Sequence, residues 1–205
     1  MKNNQTSKVI IFDFGGVLID WSPHYLYRQF FNDDNAVDRF LDEIGFFEWN
    51  TEQDRGRPFA EAVAEHCRRF PQYAEQIKAY DIYWEEFIGG PIQPTVDILY
   101  DLKLRGHTLY GLTNWSAEKF KLIRSLYEFF DLLDDIVISG EVKLVKPDPR
   151  IYTLLLEKIG VKPEACLFID DSQKNIQAAE KLGFGTVLFE SPEQLRIELQ
   201  RLGLL

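Results

Sequence analysis

Five short apolar runs of β-favouring residues recur along the 205-residue chain, at 8–13, 107–113, 135–140, 165–170 and 185–190. Runs of this length and composition are typical of buried strands. Amphipathic stretches of helical length separate the last four runs, at 116–130, 148–160 and 172–185. Strands that alternate with helices predict an α/β fold in which a parallel, Rossmann-like sheet carries helices on both faces.

The interval from residue 21 to about residue 90 lacks this alternation. It has helical periodicity, many aromatic residues and no clear strand signal, and a structureless loop of that length is improbable in a compact domain. We therefore predict a helical domain inserted after the first strand, at 21–89, whose aromatic residues mostly fill its own interior. The core would then comprise 1–20 and 90–205, and the stretch 91–106 would be a helix that leads into the second strand.

Polar residues gather where the predicted strands end. They are Asp13 with Gly15 and Gly16 after the first strand, Thr113 and Asn114 after the second, Lys146 after the third, and Asp170 and Asp171 after the fourth. Ligands of parallel α/β sheets bind at the carboxyl ends of the strands, so these residues are the candidate site.

This combination of residues suits phosphate chemistry. Three carboxylates would repel one another unless a hard cation lay among them, and Mg²⁺ prefers a few carboxylate oxygens together with water and phosphate. Lys146, the Thr113 hydroxyl and backbone N–H groups after the first strand and at residue 114 could hold phosphate oxygens. An aspartate in that setting can attack phosphorus, and glycine lets the backbone pass close to the anion.

Charge and composition exclude other classes of function. The net charge of −10 and the absence of a basic run argue against a nucleic-acid partner. No apolar segment is long enough for a membrane helix, and the polar N-terminus does not resemble a signal peptide, so we expect a cytoplasmic protein. Cys67 and Cys166 are expected to be reduced, and the three histidines do not have zinc-binding spacing. The sequence does not indicate an oligomeric state.

Four segments, FDFGGV, LTN, VKPDPRIY and FIDDSQKN, match in order the four motifs of the haloacid dehalogenase-like superfamily. The resemblance covers the whole chain, and the predicted insertion resembles the helical cap of the superfamily's capped phosphatases. It implies that the first strand is central in the sheet. It also implies a role for each motif residue: Asp13 as nucleophile, Thr113 and Asn114 as phosphoryl ligands, Lys146 as the cation that stabilises the phosphate and the nucleophile, and Asp170 and Asp171 as Mg²⁺ ligands together with Asp13 and the carbonyl of Gly15.

Gly15 departs from the family pattern. The usual phosphatase motif has a second aspartate there, which protonates the leaving oxygen and then activates water, and loss of such a group typically costs ~10²–10⁴-fold in rate. The change resembles the DxGNV form of the motif found in sugar-phosphate phosphatases of the superfamily. Either water or a side chain of the insertion could replace the missing acid, and the candidate side chains are His24, Glu48, Glu52 and Asp54.

Three functions remain open from the sequence. The first is a Mg²⁺-dependent phosphatase of small phosphorylated metabolites, such as sugar phosphates, that acts through an aspartyl-phosphate. The second is a 2-haloacid dehalogenase, whose reaction needs no leaving-group proton. Enzymes of that class lack an acidic pair, so the presence of Asp170 and Asp171 in this chain argues against this function. The third is a catalytically weak module that binds phosphate or a partner.

Three further residues near the motifs receive structural interpretations. Asp20 is interpreted as a hinge or helix-start residue where the chain leaves the core. Ser172 and Asn175 either orient the acidic pair or cap the helix that follows.

Overall fold

The computed structural model describes residues 8–205, which contain seven strands. They are β1 (Val9–Phe12), β2 (Ile19–Trp21), β3 (Ile88–Pro91), β4 (Thr108–Thr113), β5 (Asp135–Ile138), β6 (Cys166–Asp170) and β7 (Gly185–Leu188). Five of them form one parallel sheet in the order β5-β4-β1-β6-β7. The predicted parallel α/β sheet is confirmed, and its first strand is central.

The described residues also contain eleven α-helices. They are α1 (Pro23–Tyr27), α2 (Asp34–Ile44), α3 (Phe46–Asp54), α4 (Phe59–Arg69), α5 (Ala74–Ile82), α6 (Gln93–Leu104), α7 (Ala117–Arg124), α8 (Ser139–Val142), α9 (Pro149–Ile159), α10 (Gln173–Lys181) and α11 (Pro192–Arg201). Short 3₁₀ turns lie at Pro71–Tyr73, Trp84–Phe87, Glu128–Leu132 and Pro163–Ala165. None of the helices found in residues 8–205 combines the length and apolarity that crossing a bilayer requires.

The sheet separates two hydrophobic clusters. Side chains alternate between the two faces along a strand, so Ile10 and Phe12 of β1 join one cluster while Ile11 joins the other. Phe12 is level with Gly111 of β4 and Ile169 of β6. Because the three strands are parallel and in this register, their carboxyl ends meet at one edge of the sheet.

The segment between β1 and α6 contains helices α1 to α5, which pack around their own aromatic interior. Tyr27, Phe46, Tyr80 and Phe87 are fully buried there, and the Phe46 and Phe87 rings stack 6.0 Å apart. Aromatic rings supply much buried area per residue, which suits so small a bundle. The prediction that most aromatic residues of this segment are core residues is therefore confirmed.

A two-stranded antiparallel ribbon lies at the base of this helical segment and was not predicted. Strand β2 carries the chain into the helices, and β3 carries it back out. Asp20 lies in the ribbon, so of its two interpretations the helix-start role is wrong, while the hinge role stays a prediction. Helix α1 begins after Ser22, whose hydroxyl accepts the N–H of His24. Asp20 instead accepts a hydrogen bond from the Tyr25 hydroxyl at 2.5 Å.

Specific contacts fix the helical segment against the sheet domain. Lys119 of α7 forms an ion pair with Asp81 of α5 at 2.5 Å, and its ammonium lies 4.5 Å from the centre of the Phe59 ring. The loop after α3 approaches α8 so closely that a Cβ on Gly56 would lie 2.8 Å from the carbonyl oxygen of Gly140. Glycine at residue 56 (φ +96°) therefore permits this contact.

Candidate active site

Asp13 lies immediately after β1, at the edge where the central strands end. Its side chain is almost completely buried. Its N–H donates to the carbonyl of Ile169, which continues the pairing with β6, and its Oδ1 accepts the N–H of Phe14 at 2.7 Å. The backbone of both neighbouring segments thus fixes the position of the carboxylate.

Lys146 connects this carboxylate to the acidic pair. Its buried Nζ lies 2.8 Å from Asp13 Oδ1 and 2.6 Å from Asp170 Oδ2. The Asn114 side chain holds the lysine's backbone, because its Oδ1 accepts the Lys146 N–H at 2.8 Å and its Nδ2 donates to the Lys146 carbonyl at 3.0 Å. The Asn114 side chain is therefore engaged in positioning Lys146, which sequence reasoning missed.

Asp170 is fully buried and has a complete set of donors. Besides Lys146, it accepts the Asn175 side-chain amide at 2.9 Å and the Ser172 N–H at 2.8 Å. Ser172 occupies the N-cap position of α10, but within the described residues its side chain makes no capping hydrogen bond there. Ser172 and Asn175 orient the first member of the acidic pair.

Asp171 is exposed and lines the cavity described below. Oxygen atoms of Asp13, Asp170 and Asp171 all lie within 4.8 Å of one another, which suits a hard divalent cation. Gly16 (φ +75°) allows this grouping, since a Cβ there would lie only 2.3 Å from Asp171 Oδ2.

Electrostatics at these carboxylates also favour a cation. Burial raises the pKa of Asp13, the charges of Asp170 and Asp171 raise it further, and the Lys146 ammonium opposes both. Although Asp171 is exposed at the cavity, partial burial of its carboxyl group and the charge of Asp170 likewise raise its pKa. Burial alone would lower the pKa of Lys146, but the Asp13 and Asp170 carboxylates outweigh burial and raise it. The cluster contains one positive charge, on Lys146, and three carboxyl groups. An added cation would favour the ionised forms of these carboxyl groups.

Two features beside the cluster bear on ligand binding. The Thr113 hydroxyl is buried and has no hydrogen-bond partner within residues 8–205, which is unusual for a buried polar group and suits an anionic oxygen as acceptor. Gly15 faces open space, because a Cβ built there meets no atom within 4 Å. Lack of room therefore does not explain the missing aspartate at residue 15.

A cavity of about 260 Å³ opens over Asp13, Lys146 and Asp171. Its other walls come from the loop after β1, the ribbon, the helical segment, the loop after β4 and α10: Gly15, Gly16, Trp21, Asn50, Asp54, Phe59, Trp84, Asn114, Trp115, Ser116 and Asn175. Sequence analysis did not place Trp21, Asn50 or Trp115 at the site. Trp115 directly follows the LTN motif, so its position in the chain was an available signal.

The four acid candidates of the insertion lie in different places. His24 is bonded to Asp38 at 2.9 Å, Glu48 is exposed, and Glu52 is exposed and paired with Arg55. Asp54 alone among these four lines the cavity.

Asp54 is held at the cavity wall by several hydrogen bonds. Its Oδ2 accepts the Asn50 side-chain amide at 2.9 Å, its carboxylate accepts the N–H of Ser116, and its carbonyl accepts the Ser139 hydroxyl at 2.6 Å. Burial raises the pKa of Asp54 to about 7, although the Ser116 N–H and the charge of Lys146 both lower it.

The sheet is parallel, and a carboxylate, an ammonium and an acidic pair lie at the ends of its strands. This arrangement defines a class of hydrolases. The model of the haloacid dehalogenase-like hydrolase family matches residues 7–183 of the chain. The chain belongs to this family.

Individual relatives include phosphatases and dehalogenases. Sesquiterpene phosphatase astK from Aspergillus oryzae is 27% identical over 87% of each chain. (S)-2-haloacid dehalogenase 4A from Burkholderia cepacia is 30% identical, but over only 44% of this chain and 39% of its own. A HAD family enzyme from Bacteroides thetaiotaomicron, solved in complex with magnesium and inorganic phosphate, is 28% identical with a TM-score of 0.69, over 92% of this chain and 98% of that one.

Proposed function

We propose that this hydrolase is a Mg²⁺-dependent phosphatase that cleaves small phosphorylated metabolites through an aspartyl-phosphate intermediate. The observation that carries the proposal is the placement of the Lys146 ammonium between Asp13 and Asp170, beside the exposed Asp171. A dehalogenase would attack carbon and would have no use for an acidic cluster of this kind. The Bacteroides relative with magnesium and phosphate supports the same assignment.

Some residues of the acidic cluster would bind the metal directly, and Asp170 would act indirectly. Asp13, Asp171 and the Gly15 carbonyl would hold Mg²⁺ directly, because Asp170 already accepts hydrogen bonds from Lys146, Asn175 and Ser172. Asp170 would then fix Lys146 and add negative charge behind the metal. When bound, Mg²⁺ supplies positive charge that offsets the negative charge of the phosphoryl group.

The phosphoryl group would lie between Asp13 and the surrounding donors. The Asp13 carboxylate attacks phosphorus, while Lys146 holds the carboxylate and a phosphoryl oxygen. The Thr113 hydroxyl, which has no hydrogen-bond partner in the described part of the chain, donates to a second oxygen. The N–H groups of Gly15 and Asn114 complete the cradle, because the Gly16 N–H already donates to the carbonyl of Ile19 at 2.9 Å.

The cavity limits the substrate. Its volume of about 260 Å³ is just below the ~300–1,000 Å³ common for ligand pockets, which favours a compact ester such as a sugar phosphate over a long-chain one. Trp21, Trp84 and Trp115 give it flat apolar walls, and Asn50 gives it a polar group. The helical segment would serve as a cap, at the predicted bounds 21–89, that selects the substrate and excludes water. The free thiols of Cys67 and Cys166 support a cytoplasmic location.

Hydrolysis of p-nitrophenyl phosphate and of a panel of hexose, pentose and glycerol phosphates tests the proposal. We expect turnover that requires Mg²⁺, stops on chelation and disappears in Asp13→Asn. Release of halide from 2-chloropropionate without metal would instead identify a dehalogenase. Binding of phosphate without turnover of any ester would identify a binding module.

A further inference from the structure

We propose that Asp54, supplied by the helical segment, is the catalytic acid and base of the reaction in place of the aspartate that Gly15 lacks. This inference rests on the proposed phosphatase function. It assigns a catalytic residue outside the four sequence motifs, on a different part of the chain from every other reacting group.

The first argument is the inventory of the cavity. Among the described residues that line it, the side chains able to exchange a proton with a leaving group are Asp13, Asp54, Lys146 and Asp171. Asp13 is the attacking group, Lys146 is held between two carboxylates, and Asp171 belongs to the acidic cluster. Asp54 is the acid that has no other task at the site.

The second argument is the way in which the fold holds this carboxyl group. Tyr80 donates its hydroxyl hydrogen to Asn50 Oδ1 at 2.6 Å, and Asn50 donates its amide to Asp54 Oδ2 at 2.9 Å. This partly buried chain of donors fixes the orientation of the carboxyl group. Ser116, the residue before α7, adds its N–H from the sheet domain. The group is thus positioned by both parts of the molecule, as a proton donor must be.

The third argument is that the surroundings favour the protonated form. Asp54 is the last residue of α3, so it lies at the negative end of the helix dipole, where a carboxylate is disfavoured. Burial acts in the same direction and brings the pKa of Asp54 to about 7. A group with that pKa both donates and accepts protons near neutral pH.

The chemical steps balance with one proton. In the first step an Asp13 oxygen bonds to phosphorus, the phosphorus–oxygen bond of the ester breaks, and the Asp54 carboxylic acid protonates the departing oxygen to give the alcohol. In the second step the Asp54 carboxylate takes a proton from water as the water oxygen attacks phosphorus. The Asp13–phosphorus bond then breaks, and phosphate leaves with Asp54 protonated again.

Two variants and their combination test the assignment. Asp54→Asn removes the acid but keeps an amide oxygen for Asn50, and Glu52→Gln is the matched control on the exposed side of the same helix. Gly15→Asp returns a carboxyl group to the family position, where the structure has open space for it. The readouts are burst kinetics, steady-state turnover and intact mass of the protein.

With p-nitrophenyl phosphate, whose leaving group needs no proton, Asp54→Asn should release about one equivalent of p-nitrophenol per protein in a burst. Its mass should then show a phosphorylated chain, because the second step lacks its base. With the alkyl phosphate that the wild type cleaves fastest, the variant should lose ~10²–10⁴-fold in turnover and show no burst. Glu52→Gln should behave as the wild type. Adding Gly15→Asp to Asp54→Asn should raise the turnover of the alkyl ester at least tenfold over that of Asp54→Asn alone.

The other results overturn the assignment. An equal loss of the burst and of alkyl-ester turnover, with no rescue by Gly15→Asp, would mean that Asp54 only supports the fold. Unchanged turnover of both esters in Asp54→Asn, or a wild type that cleaves only the aryl ester, would show a phosphatase without this acid. A wild type that cleaves neither ester would remove the proposed function and this inference with it.

Discussion

Asp54→Asn should make the protein more stable at alkaline pH. The pKa of Asp54 is about 7 in the folded chain against a reference value of 3.8, so the native state binds more protons than the unfolded state between these values. The free energy of unfolding therefore falls as pH rises through that window. At about 1.4 kcal/mol per pKa unit, ionisation of Asp54 in the folded protein lowers the free energy of unfolding by at most roughly 4 kcal/mol. Because Asp54 is partly exposed to the cavity, screening by solvent leaves about 1–3 kcal/mol.

The assay is urea unfolding of the wild type, Asp54→Asn and Glu52→Gln at several pH values from 4 to 8.5, with chelator present. Asparagine resembles the protonated acid, so the two proteins should have similar stability at pH 4. As pH rises, the free energy of unfolding of Asp54→Asn should come to exceed that of the wild type, by about 1–3 kcal/mol at pH 8.5. Glu52→Gln, an exposed change, should stay within about 0.5 kcal/mol of the wild type throughout.

A variant that is less stable than the wild type at pH 8.5 would refute this reasoning. It would mean that the charge of Lys146 and the N–H of Ser116 stabilise the Asp54 carboxylate by more than burial disfavours it. A difference that does not change with pH would show that Asp54 keeps the same charge in both states. Either result would remove the protonated Asp54 from which the proposed acid step begins.

Three further variants probe other parts of the site. Thr113→Val deletes a buried hydroxyl for which residues 8–205 offer no partner. The free energy of unfolding of the ligand-free protein in urea should therefore rise by about 1 kcal/mol, while its affinity for phosphate in calorimetry falls about tenfold. Gly16→Ala places a Cβ against Asp171 at positive φ, so it should lose about 1–2 kcal/mol of stability and bind Mg²⁺ more weakly in titration calorimetry. Lys119→Met keeps the packing of the lysine stem but breaks the ion pair with Asp81, and should lose about 1–3 kcal/mol in urea unfolding.

Each of these three predictions would be contradicted by a specific experimental result. A less stable Thr113→Val protein would mean that the hydroxyl has a partner in solution. Mg²⁺ affinity in Gly16→Ala equal to that of Gly15→Ala, where a Cβ meets open space, would separate Asp171 from the metal. An unchanged Lys119→Met protein would show that the ion pair adds nothing to the attachment of α5.

The sequence predicted the part of the site that follows from the order of strands. Parallel strands place their carboxyl ends at one edge, so Asp13, Thr113 and Asp170 could be brought together by counting strand ends. The central position of β1 followed from the family resemblance. The ribbon of β2 and β3 could not be predicted in this way, because its strands have three and four residues and pair across the whole insertion.

The choice among the acid candidates also needed the structure. Glu48 and Glu52 share one face of α3, while Asn50 and Asp54 share another, and helical spacing shows this grouping but not which face meets the cavity. Contacts far apart in sequence decide the matter, above all the Ser139 hydroxyl on the Asp54 carbonyl. The side chain of Asn114 illustrates the same limit, since its motif suggests a ligand for phosphate and its actual partner is the backbone of Lys146.

The close approach of Gly56 to Gly140 has a consequence for protein engineering. It anchors the loop that follows Asp54. Under our proposal the proton donor therefore comes from the helical segment, whereas the nucleophile comes from the sheet domain. A chimera that replaces the helical segment with one that has no acid at the place of Asp54 would have new walls around the substrate. It would have neither Asp54 nor an aspartate at residue 15. Under the proposed mechanism such a hybrid would become phosphorylated and stall with an aryl phosphate and would cleave alkyl phosphates slowly, and Gly15→Asp would be expected to restore the missing acid.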